Sequence, residues 1–274
     1  MRTDRDMTGE LASPVVAASD QARQVVNVLT YGAVLWVNGL AGSGALSGDS
    51  IGAIANRYQS YFLPADYVFG IWALIYSWLL VFTVYQALPP NRGIALVRRL
   101  GWWWAISGLF NIAWIVTFSF GMFGLALIVM VGLLCTLVNI QKRVGLDETL
   151  TWIERVSVSY PFALYLSWIS IALIANTFQF VTYMEWSGLG IDGPSWSATM
   201  AVVATGLGIL VVWKWGLWIS PLVVTWALVG IAVRFPEQAV ITRTAWAMIV
   251  LGLVSLPFAL RLGWERRRVH TDAR

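Results

Sequence analysis

The side chains of this sequence that could do chemistry inside an apolar setting are aromatic rings and amides repeated at helical spacing. They fall in three apolar stretches, whose members are Phe69, Trp72 and Tyr76, then Trp104, Ser107, Asn111 and Trp114, then Tyr165, Trp168, Ala172 and Asn176. Residues three or four apart lie on the same face of a helix. Each stretch therefore predicts one uncharged face. Such faces either hydrogen-bond neighbouring helices or line a cavity for a flat, largely apolar ligand, and the pattern alone slightly favours the first.

Other kinds of site have little support in the sequence. Cys135 is the only cysteine and His270 the only histidine, and His270 lies in a polar terminus. Within one chain this composition excludes an internal disulfide and disfavours zinc sites, haem ligation by histidine and Ser-His-Asp catalysis. The acidic residues fall in predicted loops, where paired carboxylates for acid–base catalysis are not expected. We therefore predict no metal site and no catalytic residue, and an enzyme is the less favoured class.

The elements that must position these faces are membrane helices. Hydrophobic residues make up 58% of the chain and charged residues 12%, with a mean hydropathy of +0.71. Stretches of about 20 apolar residues can cross the hydrocarbon core of a bilayer as helices. Eight such stretches are predicted, at about residues 25–46, 66–88, 102–120, 122–141, 158–181, 195–213, 217–234 and 243–262. The predicted fold class is an all-α polytopic membrane protein.

The distribution of basic residues predicts the orientation of these helices. With eight crossings, only Arg57, Arg234 and Arg243 of the 18 lysines and arginines fall on one side. Basic loops stay in the cytoplasm, so both termini are expected there, as a disordered tail over residues 1–24 and a basic tail over 263–274. The basic residues lie in short loops rather than on one folded face, so membrane lipid is the expected partner and nucleic acid is not.

Three segments together resemble the TspO (translocator protein, tryptophan-rich sensory protein) family. They are, in chain order, "FLPADYVFGIWALIY" (62–76), "LFNIAWIVTFSF" (109–120) and "YPFALYLSWISIALIANTFQF" (160–180). The first is similar to the family's second helix, the second to its third helix with Asn three residues before Trp, and the last to its fifth helix. The sequence departs from the family pattern at Ala65 and Leu164, where prolines are expected, and it is longer than the five-helix members.

The resemblance implies a TspO-like five-helix bundle over residues 25–182 and three additional transmembrane helices over 195–262. It also implies a pocket between the helices, closed by the loop of residues 47–64. The ligand would be a porphyrin-type tetrapyrrole, haem included, or a sterol-like lipid, and no cofactor would be obligatory. The implied ligand-binding residues are Trp72, Tyr76, Asn111, Trp114, Trp168, Ala172 and Asn176. The implied role is that of a sensor or regulator, possible as a homodimer, in the bacterial inner membrane.

Two other functions stay open on the sequence. One is facilitated transport of an apolar ligand. Proton-coupled transport is disfavoured because such carriers need ionisable groups within the bundle, and the predicted spans hold almost none. The other is a structural subunit of a larger membrane complex, in which the three additional helices would be a docking surface.

Overall fold

The protein is helical throughout the residues that the structure, a computed structural model, describes, which are 14–58, 60–144 and 150–271. No β-strand occurs in these ranges. The helices are α1 Pro14–Ser43, α2 Ile51–Arg57, α3 Ile71–Ala87, α4 Ala95–Leu100, α5 Trp103–Ser119, α6 Phe123–Val144, α7 Trp152–Glu154, α8 Tyr160–Tyr183, α9 Gly193–Trp215, α10 Ile219–Arg234 and α11 Ala239–Thr271. Short 3₁₀ turns cover Asp66–Gly70, Pro89–Asn91 and Gly188–Gly190.

Each of the eight predicted membrane spans corresponds to one helical segment. Six of these segments are long and apolar enough to cross a membrane, and the other two, α5 and α10, are shorter apolar helices. At 1.5 Å per residue, the 17 residues of α5 and the 16 of α10 extend roughly 25 Å, close to the hydrocarbon thickness. The predicted all-α polytopic membrane fold is confirmed.

Helix α8 lies at the centre of the packing. It contacts α3, α6, α9 and α10, and 72% of the most apolar part of the segment Trp152–Tyr183 is buried. On one side of it, α1, α3, α5 and α6 pack with α8 as five neighbouring helices. On the other side α9, α10 and α11 pack on one another and meet α8 through α9 and α10. Because α8 touches both groups, its side chains can couple them.

Two pairs of consecutive helices form tight hairpins, and glycine makes each turn possible. The α5–α6 turn contains Gly121 at φ 72°, and the α9–α10 turn contains Gly216 at φ 66°. Positive φ is costly for residues with a Cβ, so glycine is the residue that ends a helix this tightly. The sequence therefore sets where α5 and α9 end.

A π-helical turn over Arg155–Ser159 leads into α8. In a π-helix each carbonyl accepts from the N–H five residues later. For the carbonyl of Val156 that residue is Pro161, which has no N–H, so this backbone hydrogen bond cannot form. The indole Nε1 of Trp78 donates to this carbonyl at 2.8 Å instead. A side chain of α3 thus satisfies a backbone group at the start of α8.

The prediction of a disordered tail over residues 1–24 is wrong for residues 14–24, which belong to α1. Asp20 and Gln24 are buried. Asp20 forms ion pairs with Arg23 and Arg98, each at 2.6 Å, and the Gln24 amide donates to the carbonyl of Gln86 at 2.6 Å. Partners distant in sequence order this segment, so its polarity alone misled the prediction. Residues 1–13 lie outside the described residues.

Candidate functional site

Five aromatic side chains from three helices meet between α3, α5 and α8. This group, named here the aromatic cluster, consists of Trp72, Tyr76, Trp114, Tyr165 and Trp168. The Trp72 indole is at its centre: it stacks on Tyr76 and Trp114 with centroids 5.3 and 5.8 Å apart. It also meets Tyr165 and Trp168 edge to face, each at 6.1 Å. Aromatic pairs favour both of these arrangements, so the cluster is packed around a single indole.

A chain of amide and hydroxyl groups runs along one side of the aromatic cluster. The Tyr76 hydroxyl donates to Asn38 Oδ1 at 2.9 Å, and Asn38 Nδ2 donates to Asn111 Oδ1 at 2.8 Å. Asn111 Nδ2 then donates to the Tyr165 hydroxyl at 2.9 Å. The chain links α1, α3, α5 and α8 without any charged group. In a medium without water these bonds satisfy groups that would otherwise be costly.

A separate polar contact lies further along α8. The Trp114 indole Nε1 donates to Asn176 Oδ1 at 3.1 Å, and Asn176 Nδ2 donates to the carbonyl of Ala172 at 2.9 Å. The Asn176 amide is therefore satisfied by protein groups. Trp168 differs: its Nε1 is buried and has no hydrogen-bond acceptor among the described residues. An indole N–H in an apolar setting usually finds a partner, so this buried donor is an exception.

All seven predicted site residues lie in or beside the aromatic cluster. The rings of Tyr76, Trp114 and Trp168 each contact the ring of Trp72. The other three, Asn111, Asn176 and Ala172, connect to the cluster through hydrogen bonds. In this structure the three predicted faces pack against each other. This is the first of the two arrangements that the sequence left open, in which the faces hydrogen-bond neighbouring helices. Their part in binding a ligand stays a prediction.

Sequence reasoning missed two residues of this site. Asn38 on α1 bridges Tyr76 and Asn111, and Tyr165, although on the predicted face of α8, was not included among the ligand-binding residues. An amide in the middle of an apolar span is the signal that identified Asn111, and it applies equally to Asn38. The contribution of α1 could therefore have been found from the sequence.

An open cleft of about 470 Å³ lies near the end of α3 that carries Trp72. It lies between the end of α1, the helix α2 and the start of α3, and its lining residues are Gly42, Ser50, Ile51, Gly52, Ala53, Asn56, Asp66 and Phe69. Gly42 is one helical turn beyond Asn38, and Phe69 is one turn before Trp72. Because residues one turn apart share a helix face, the cleft lies about one helical turn from Asn38 and Trp72, towards α2.

The described residues contain no group of three or more histidine, cysteine, aspartate or glutamate side chains that could hold a metal ion. The chemistry that the site offers is therefore aromatic stacking, hydrogen bonding by uncharged groups and the exclusion of water. These properties suit a flat ligand with a small polar edge.

The fold and the site together define an α-helical membrane protein whose aromatic cluster is lined by amide groups and contains no charged side chain. A family model described as TSPO-like protein matches residues 24–264. The chain therefore belongs to the TSPO-like family, and the resemblance found in the sequence is confirmed. The matched region includes α9 and α10 as well as the five-helix bundle. No curated protein and no solved structure matches the chain significantly.

Proposed function

We propose that this TSPO-like membrane protein is a sensor or regulator that binds a flat, largely apolar ligand between α3, α5 and α8. The candidate ligands are a porphyrin-type tetrapyrrole and a sterol-like lipid. The observation that carries the proposal is the aromatic cluster itself, five rings around Trp72 beside an open cleft. Ring faces attract flat conjugated molecules by stacking.

The polar groups of the cluster fit the edge of such a ligand. The unpartnered Nε1 of Trp168 is a donor. The chain of Asn38, Asn111 and Tyr165 can exchange one internal hydrogen bond for one to the ligand. Neither needs the ligand to carry a charge. A largely apolar molecule with few hydrogen-bonding groups therefore suits the site better than a strongly ionic one.

Binding requires Trp72 to move. Its ring occupies the centre of the cluster, yet it is only partly buried, so rotating it towards the cleft would open space between Trp114 and Trp168. The stacking lost with Tyr76 and Trp114 would be replaced by stacking on the ligand. The proposal thus describes a site that is closed without ligand and opens as the ligand displaces an indole.

The orientation of the protein follows from its two polar ends. Asp20, Arg92 and Arg98 lie at the α1 N-terminal end, and Asp66 and Arg234 lie beside the cleft at the other end. The first end has the excess of basic residues and would face the cytoplasm. The cleft would then open on the side opposite the cytoplasm. The membrane in our proposal is the bacterial inner membrane, and the protein can form a homodimer in this orientation.

The test is fluorescence quenching of the purified protein titrated with a water-soluble porphyrin. Saturable quenching is expected, because the porphyrin would lie against the cluster. Trp168→Phe removes the free donor and should weaken binding about five-fold, the equivalent of about 1 kcal/mol. Asn111→Ala should weaken it as well. The matched control is Trp186→Phe, an exposed indole outside the cluster.

The proposal fails if neither a porphyrin nor a sterol gives a saturable fluorescence change and if the response is the same in the wild type and both cluster variants. That result would identify the indoles and amides as packing groups. A sterol titration followed by the same fluorescence separates the two candidate ligands.

A further inference from the structure

The segment of residues 47–64, named here the cleft loop, contains α2 and covers one side of the cleft; residue 59 is not described. It contacts the C-terminal helices as well as the five-helix bundle. The Ser197 hydroxyl of α9 donates to the carbonyl of Tyr61 at 2.7 Å. Gly193 lies so close to Tyr61 that an added Cβ would be 2.4 Å from the ring. Helix α9 thus holds the end of the cleft loop.

Helix α10 packs directly on the turn that follows the cleft loop. A Cβ on Gly230 would lie 2.1 Å from Val68 Cγ2 and 3.1 Å from Pro64 Cβ, so glycine is needed for this approach. The Gly230 carbonyl accepts from the Ala65 N–H at 3.1 Å, and the Trp226 indole donates to the carbonyl of Val68 at 3.1 Å. The residues leading into α3 are therefore bonded to α10.

Arg234, the last residue of α10, joins these elements to α2. Its Nη2 donates to Asn56 Oδ1 at 2.5 Å, and its Nη1 lies 3.3 Å from Asp66 Oδ1 and 3.4 Å from the carbonyl of Pro64. Asn56 Nδ2 also donates to Asp66 Oδ1 at 3.1 Å. One guanidinium therefore bonds to both sides of the cleft, since Asn56 and Asp66 are lining residues. A cation at the C-terminal end of a helix is also favoured by the helix dipole.

We propose that Arg234 is a positioning residue that holds the cleft loop against α10, so that the C-terminal helices control how readily the cleft opens. Asn56 is the contact that would have to break for α2 to move away from Asp66. The consequence for a ligand, slower access to the aromatic cluster, rests on the proposed function. The role of Arg234 in holding the cleft loop does not depend on the proposed function.

The test is hydrogen–deuterium exchange of the full-length protein in lipid nanodiscs, read on the peptide that covers residues 51–57. Arg234→Gln is expected to speed exchange of this peptide about ten-fold, because the loop opens more often. Arg234→Lys keeps the positive charge but lacks the planar donor fork of the guanidinium, so it should retain only part of the protection. Arg243→Gln is the matched control, since Arg243 is an exposed arginine at the start of α11, and it should leave the peptide unchanged.

A second variant tests the same contact from the other partner. Asn56→Ala removes the 2.5 Å bond to Arg234 together with the 3.1 Å bond to Asp66, and it leaves Arg234 beside Asp66. It should speed exchange of the same peptide at least as much as Arg234→Gln, even where Arg234→Gln folds poorly. Unchanged exchange in the folded variants would overturn the proposal, as would an equal acceleration in Arg243→Gln.

Porphyrin association measured by stopped-flow quenching then separates this proposal from the proposed function. Faster exchange together with faster association in Arg234→Gln supports both. Faster exchange in a protein that binds neither porphyrin nor sterol supports the role of Arg234 and refutes the proposed function.

Discussion

Breaking the amide chain at Asn111 should measurably destabilise the bundle. In Asn111→Ala, the bonds of Asn111 to Asn38 (2.8 Å) and to Tyr165 (2.9 Å) are both lost. Hydrogen bonds between membrane helices contribute about 0.6 kcal/mol on average and up to about 1.7 kcal/mol. Losing two should therefore lower the free energy of unfolding by about 1 to 3 kcal/mol.

A double-mutant cycle with Tyr165→Phe isolates one of these bonds. Tyr165→Phe removes the hydroxyl and leaves the ring against Trp72. The double variant should cost less than the sum of the single variants by about 0.6 to 1.7 kcal/mol, the value of the shared bond. Unfolding would be followed by near-UV circular dichroism in mixed micelles of rising dodecyl sulfate content.

Asn139→Ala is the matched control for this cycle. The Asn139 side chain bonds only to the carbonyl of Cys135 in its own helix, at 3.1 Å, so its loss should change the stability by less than about 0.5 kcal/mol. The reasoning is refuted if Asn111→Ala costs no more than Asn139→Ala and the coupling energy to Tyr165 is zero within error. The network would then be a geometric coincidence rather than a source of stability.

Three further predictions concern the indoles, the glycine contact and the topology. Trp114→Phe breaks a hydrogen bond to Asn176, whereas Trp168→Phe breaks none to the part of the chain that the structure describes. Thermal unfolding should therefore show Trp114→Phe to be less stable by about 1 kcal/mol, and equal stabilities would contradict this. Gly230→Ala gains about 1 kcal/mol of helix propensity but overpacks against Val68 at a cost of about 1 to 3 kcal/mol. A net loss of stability is expected, and a gain would show that α10 can move away from Val68. The control is Gly39→Ala, whose added Cβ would have no neighbour within 4 Å among the described residues, and this variant should be stabilised or unchanged. In a Cys135→Ala background, a membrane-impermeant thiol reagent added to intact cells should label Ser187→Cys and not Gly93→Cys, and the reverse pattern would invert the orientation.

The helices and their apolar character follow from the sequence because both are local properties. Hydropathy over about 20 residues and the spacing of aromatic and amide residues depend only on neighbours along the chain. The same spacing placed Asn111 and Trp114 on one face of α5, and Trp168, Ala172 and Asn176 on one face of α8. These groupings required no knowledge of the partner helices.

Local spacing did not decide which way each face points. Trp36 and Trp168 both fall near the middle of predicted spans, yet Trp36 is 69% exposed on the outside of the bundle and Trp168 is 3% exposed in its core. In a bilayer both environments are apolar, so hydropathy does not distinguish them. Only the packing of α8 among four other helices places Trp168 inside.

The sequence by itself determined an all-α membrane protein of the TSPO-like family, with three uncharged faces of aromatic and amide residues. Tertiary structure alone decided that these faces meet around Trp72, that Asn38 completes the amide chain, and that Asp20 is buried through an ion pair with Arg98. It also decided that Arg234 bonds to Asn56 across the cleft. The physical reason is that these contacts join residues tens of positions apart, and their energies depend on distances that only the folded chain sets.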